Sequence, residues 1–356
     1  MTYAPDATQM SNAAWQLKFV SRDVNGGPIA AVATVVKPLV PPSGTANLLA
    51  EAFAEDALGA QCAPSHGVTG STADSNELAE TGVASAGLNA GWTLVYPDYE
   101  GPNSEYAVGR LSGQVTLDSI RAAEQFAPLG LNANTPVGLN GYSGGAIAVS
   151  WAATLQHSYA PNLNIVGIAS GGTPADIKGI VDNIDSNQAS NAAFFSIIFM
   201  AGIGINRGYP QFITPTLNAA GVAAAQKMEN GCIGKNSDGS AGPTGTFAQY
   251  STTPNFETTP GFESGVTLDG LPQPNSAPAT SEFVYHSQTD ELIPIAGVDK
   301  LVTAWCSDGA HIAYYRAQSG DHVSTEVDNE QFVITYLTDR FNGTTPTYPS
   351  TTTVCN

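Results

Sequence analysis

Five residues, Gly141-Tyr142-Ser143-Gly144-Gly145, constrain the fold of this 356-residue chain more than any other segment. A short apolar stretch with strand character, residues 137–140, runs into them. A stretch of small residues with helical character, 146–155, leaves them. The pattern G-x-S-x-G between a strand and a helix marks a sharp turn, in which small neighbours let the backbone reverse and leave the serine hydroxyl standing clear. Turns of this kind belong to sheets whose strands alternate with helices.

The rest of the chain fits such a sheet, with one interruption. Strand signals at residues 15–20, 29–36 and 47–53 precede a helical stretch at 75–89 and an apolar strand at 91–97. Helical periodicity covers 116–126, and another strand covers 163–169. The alternation predicts a mostly parallel α/β sheet. It lapses between 175 and 279, where an apolar segment (192–205), a helix near 217–228 and a Gly/Ser/Thr/Pro-rich stretch (234–280) carry no strand signal. It resumes with a strand at 282–286, a helix at 298–306, a strand at 312–316 and a final helix at 326–341. The expected organisation is an α/β core formed by 1–174 and 280–356, interrupted by a mainly helical insertion over 175–279.

Charge narrows the function classes. Twelve Lys and Arg stand against 31 Asp and Glu, a formal net charge of −19. Such a surface repels phosphate backbones and anionic headgroups, which argues against nucleic-acid binding and electrostatic membrane docking. No stretch of 18 or more apolar residues is present, so no bilayer span is expected. Transient contact with an uncharged lipid surface stays open. Only 12% of residues are charged, while Gly numbers 37 and Pro 23. That is the composition of a loop-rich, secreted-type surface. The first ten residues have neither a basic nor an apolar region of signal-peptide type, which leaves a cytosolic chain or the mature region of a secreted one. The even cysteine number and the sequon Asn342-Gly343-Thr344 favour the secreted reading, and the chain is expected to act as a monomer. Cys62, Cys232, Cys306 and Cys355 form no CxxC pair, so no metal site is expected. They allow three disulfide pairings, or four buried thiols.

Ser143 needs a base, and the base needs an orienting acid. In this kind of fold they follow in the order Ser…Asp/Glu…His. Of the later histidines, His157 ends the helix after the serine, His286 lies within a strand and His311 opens one. His322, in Ser319-Gly-Asp-His322, falls between the last strand and the last helix, where a base is expected. Asp290, in the loop after strand 282–286, is the expected acid; Glu291 and Asp321 are its rivals. Loops just past strand ends assemble at the carboxyl edge of a parallel sheet. Gly144 N–H is one expected oxyanion donor. A second comes from an early loop, for which Asp56 is the candidate.

The segments Glu55-Asp-Ala-Leu-Gly-Ala-Gln-Cys-Ala-Pro-Ser65, Asn140-Gly-Tyr-Ser-Gly-Gly-Ala146, Gly171-Gly-Thr-Pro174, Asp290-Glu-Leu-Ile-Pro294 and Phe341-Asn-Gly-Thr-Thr-Pro346 together resemble the fungal secretory lipase family. The resemblance covers nearly the whole chain. It implies an α/β-hydrolase core with an inserted helical cap, ester hydrolysis without a cofactor, and a lipid or other ester as substrate. It puts nucleophile, acid and base on Ser143, Asp290 and His322, and oxyanion donors on Asp56 and Gly144. It also implies the pairings Cys62–Cys232 and Cys306–Cys355. Two departures stand out. Asn140 occupies a place where the family has an acid. The chain also stops just after Cys355, leaving little of a C-terminal flap, which favours an open site for shorter or bulkier esters, polyesters among them. Phe194, Phe195, Phe199 and Met200 belong to the candidate acyl-tunnel wall; their helix is apolar all round, so some of its residues should face the core, and a buried packing helix is the alternative. The competing functions are a peptidase or amidase on the same fold and a non-catalytic lipid-binding protein.

Overall fold

The computed structural model describes residues 13–39, 44, 46–68, 81–187, 192 and 194–355. Residues 75–80 of the expected early helix lie outside them; its remainder is the helix Thr81–Asn89. One nine-stranded sheet runs in the order β1-β2-β4-β3-β5-β6-β7-β8-β9. Its strands are β1 (Ala13–Arg22), β2 (Pro28–Lys37), β3 (Leu48–Ala52), β4 (Thr93–Pro97), β5 (Val137–Tyr142), β6 (Ile165–Gly171), β7 (Glu282–Ser287), β8 (Ile312–Ala317) and β9 (Thr353–Cys355). The six strands from β4 to β8 in this order are mutually parallel; the pairs β1–β2, β2–β4 and β8–β9 are antiparallel, and β1 and β9 are the sheet's edges. The fold is the α/β-hydrolase architecture expected from the sequence. Strands β3, β4, β5 and β7 are buried along their whole lengths, as apolar runs covered by helices on both faces should be.

One face packs against the helices α1 (Gly109–Gln125) and α2 (Gly144–Tyr159), through Leu111, Val115, Ile120, Val149 and Ala152. The other packs against Thr81–Asn89 and the long helix α3 (His322–Phe341), through Trp92, Val333, Tyr336 and Leu337. Strand order turns around at β3, with β4 on one side and β5 on the other. The loops leaving β3 and β5 therefore diverge, and a crevice opens between them at the carboxyl edge.

Between β6 and β7 the described residues form helices and loops, with no strand in the sheet. The helix Phe195–Gly208 lies at the centre of a separate apolar cluster containing Ile180, Ile184, Phe212, Phe247, Phe256 and Phe262. Ring pairs chain this cluster together: Phe195–Phe247 at 5.0 Å, Phe247–Phe256 at 5.0 Å and Phe256–Phe262 at 5.2 Å. Its contact with the core runs through Leu58, Tyr106, Leu292 and Ile293. Disulfides join Cys62 to Cys232 and Cys306 to Cys355. The second ties β9 to the helix Ile295–Ser307, a short edge strand that the sequence reading did not contain.

Candidate active site

Ser143 lies between β5 and α2 with φ 51° and ψ −117°. A non-glycine residue in that conformation costs about 1–3 kcal/mol. Two features hold it there. Ser143 N–H donates to Gly171 O on β6 at 2.9 Å. Gly145 packs so close to the end of β3 that a Cβ would collide with Ala52 O, so the motif's last glycine is a steric requirement.

His322 is the first residue of α3. The sequence reading placed it in a loop, but Asp321 caps the helix one residue earlier, its carboxylate accepting from Ser324 N–H at 2.7 Å. The imidazole is thereby fixed to a helix end. Its backbone is held twice more: His322 N–H donates to Glu291 Oε2 at 2.9 Å, and Tyr142 Oη–H donates to His322 O at 2.6 Å. The ring's Nδ1 lies 2.7 Å from Asp290 Oδ2, and its Nε2 lies 2.8 Å from Ser143 Oγ. Of the three acids considered, Asp290 is the one at the ring; Glu291 and Asp321 hold the backbone beside it.

Asp290 is itself over-determined. Its Oδ1 accepts from Leu292 N–H at 3.0 Å and Ile293 N–H at 2.7 Å. His286 Nε2 lies 3.4 Å from its Oδ2 and 2.8 Å from Ile293 O. Burial works to raise the pKa of Asp290, but the His322 hydrogen bond and charge, with His286 and Ile293, hold it below the ordinary value. Burial works to lower that of His322, but the Asp290 bond and the charges of Asp290, Glu291 and Asp56 leave it above 6.5. The contact of His286 with the acid was not anticipated; the spacing His286-x-x-x-Asp290 is its one sequence signal.

Asp56 sits in the loop after β3 with φ 45°, its Oδ1 so near Gly144 that a Cβ there would collide with it. The loop is braced by Tyr99, whose hydroxyl donates to Phe53 O at 2.6 Å and accepts from Glu55 N–H at 3.2 Å. Burial pushes the Asp56 carboxyl up to about 6, against the opposing His322 charge and a Tyr106 hydrogen bond. Behind the serine, Asn140 donates to Glu51 at 2.6 Å. Burial raises Glu51 to about 8. The carboxyl missing at position 140 is thus present on the neighbouring strand.

Residues 70–348 match the family model described as secretory lipase. The chain belongs to the secretory lipase family. A secreted triacylglycerol lipase of Malassezia furfur is 34% identical over 326 residues, 87% of this chain and 64% of that protein. Another from the same organism is 34% identical over 334 residues, 87% of this chain and 83% of that one. The closed state of Candida antarctica lipase A superposes with a TM-score of 0.87 at 25% identity, over 100% of this chain and 83% of that one.

In this family member the Ser143 hydroxyl opens onto a cavity of about 150 Å³, lined by both the core and the inserted helices. The expected tunnel wall needs correction. Phe194 lines the cavity, but Phe195, Phe199 and Met200 do not; they are buried in the cluster around Phe247 and Tyr250. The helix is apolar all round, so composition could not orient it. The face toward the cavity carries Ile197, Ile198, Ala201 and Ile205, at helical spacing from Phe194. Among the described residues no group of His, Cys, Asp and Glu could hold a metal ion, and no helix is long and apolar enough to cross a membrane.

Proposed function

We propose that this chain is a secreted serine carboxylic-ester hydrolase that cleaves acylglycerols or related lipid esters through an acyl-enzyme. The observation that carries the reading is the unbroken line Asp290 Oδ2–His322–Ser143 Oγ, with separations of 2.7 and 2.8 Å. A carboxylate only accepts hydrogen bonds, so Nδ1 of His322 carries the ring proton and Nε2 is free to take one from Ser143. Ser143 Oγ attacks the ester carbonyl as His322 removes its proton; the carbonyl oxygen becomes an oxyanion held by the N–H groups of Asp56 and Gly144. The protonated imidazole, steadied by Asp290, returns the proton to the leaving alcohol as the C–O bond breaks. Water, activated by the same histidine, releases the acid. The apolar cavity beside Ser143 suits an acyl chain, and residues 175–279 act as the cap that covers it.

Extracellular action is supported by the two disulfides and by relatives whose names call them secreted. The test is a rate profile on p-nitrophenyl esters of rising chain length, with Ser143→Ala alongside. The variant should lose more than about 10⁴-fold in kcat. More than a few per cent of activity remaining would displace Ser143 as nucleophile; turnover of amides but not esters would move the chain to the peptidase reading.

A further inference from the structure

The proposed reaction leaves His286 without a task, although it is buried against the acid. The side chains of His286 and Asp290 are both 0% exposed. His286 is the last residue but one of β7. Neighbouring residues of a strand point to opposite faces, and the end of β7 uses both. Ser287 Oγ donates to Gly320 O at 2.6 Å, two residues before the base. His286 meets the loop that carries the acid.

A carbonyl oxygen only accepts, so the 2.8 Å contact with Ile293 O puts the ring proton of His286 on Nε2. Ile293 is thereby held at both ends, its N–H by Asp290 Oδ1 at 2.7 Å and its carbonyl by His286. The same Nε2–H lies 3.4 Å from Asp290 Oδ2, the oxygen that meets His322 Nδ1 at 2.7 Å. Turning the carboxylate away from His322 would break contacts on both of its oxygens.

The other ring nitrogen gains nothing from this position. Among the described residues none pairs with the buried Nδ1 of His286. A phenylalanine would fill the same space without that unpaired acceptor, so packing alone does not account for an imidazole here. Charge matters as well. Asp290 acts on the ring from its loop, His322 from the start of α3, and Asp299 from the helix Ile295–Ser307. Burial outweighs the two carboxylates and lowers the pKa of His286 from 6.5, so the ring is neutral at neutral pH. A neutral N–H orients Asp290 and leaves its negative charge to His322; an imidazolium would compete for that charge.

We propose that His286 is a positioning residue of the ester hydrolysis, a fixed neutral donor that holds Asp290 Oδ2 on His322 Nδ1. The inference rests on the ester-hydrolase reading above. Three substitutions test it. His286→Phe keeps a ring and removes the donor, and His286→Asn carries an N–H too short to reach the place of Nε2. Both should lower kcat on p-nitrophenyl butyrate at least about tenfold, with KM within about twofold of the parent. His286→Gln puts an N–H at the depth of Nε2 and should keep kcat within about threefold. The acid limb of kcat/KM follows His322, which also faces Glu291, Asp56 and Glu326. Without the His286 donor, Asp290 has more of its charge for the imidazolium. The limb should then move to higher pH by less than about one unit in the first two variants and stay in His286→Gln. A role in stability alone would lower the melting temperature and move neither kcat per folded molecule nor the limb. Folded His286→Phe or His286→Asn with parental kcat would overturn the proposal, and so would a loss that His286→Gln shares in full. If the parent turns over no ester, the function reading fails, and the proton resonance of His322 Nδ1–H decides the positioning role. It should shift in His286→Phe and His286→Asn and stay in His286→Gln; the same resonance in all four proteins would overturn it.

Discussion

On the sheet side of the cavity, every group of the proposed triad is placed by the backbone. Ser143 is pinned to Gly171, His322 is the first residue of a capped helix, and Asp290 is gripped by the N–H groups that follow it. On the cap side the wall is held by apolar packing, rings stacked on rings around Phe195 and Phe199, with the cavity-facing Ile197, Ile198 and Ala201 riding on that support. Hydrogen bonds to a backbone fix direction, so the first wall sets where the chemistry happens. Packing fixes volume, so the second sets what fits. One wall can then vary without disturbing the other.

This division can be broken experimentally. The largest effect should come from Asp290→Asn, which removes the acceptor that selects the tautomer of His322. The expected loss is about 10⁴-fold in kcat, with little change in melting temperature. On the cap side, Phe199→Ala should cost about 3–5 kcal/mol in denaturant unfolding yet leave the relative rates on short and long esters alike. A changed chain-length profile in that variant would dissolve the distinction between the two faces of the helix Phe195–Gly208. Ile198→Trp is its counterpart: stability nearly kept, but activity on the longest esters reduced by about tenfold relative to butyrate.

Two smaller effects concern protons. In the proposed mechanism His322 acts as the neutral base, and its neighbours raise its pKa from 6.5, so the acid limb of kcat/KM should be half-maximal above pH 6.5. Glu291→Gln keeps the acceptor for His322 N–H but removes a charge that favours the imidazolium. The limb should then shift to lower pH by less than about one unit. Stability should run the other way from that of a chain rich in salt bridges. Glu51 and Asp269 are each raised by burial to about 8, from 4.5 and 3.8. Both bind protons more tightly folded than unfolded, so their contribution is complete below about pH 4 and lost as pH rises through 8. Asp290, lowered from 3.8, opposes only at the acid end, where its contribution is lost. Melting temperature should be higher at pH 5 than at pH 8.5, and a flat profile would contradict those raised carboxyls.

The sheet wall was the more legible in sequence, for the same physical reason that makes it rigid. A strained turn restricts residue type, so Gly141, Ser143 and Gly145 announce it, and the loop after a strand limits where Asp290 can be. The start of α3 was missed although Asp321 and Ser324 have capping spacing, because Ser319-Gly320 reads locally as loop. The cap wall was legible only as apolar. Where every face of a helix is greasy, nothing local separates Phe199, which packs inward, from Ile198, which meets the cavity.

The Cys62–Cys232 bond gives the two walls a shared boundary. It lies beside the pairing of Leu58 N–H with Gly231 O, and Arg207 reaches across to Leu58 O. The loop bearing Asp56 is thus fastened to one end of the cap. The disulfide and these two hydrogen bonds make the Asp56 loop and the segment carrying Cys232 one joined piece, so a displacement of either is transmitted to the other. Cutting the bond with a reductant should therefore loosen both together, read as a lower melting temperature accompanied by slower ester turnover.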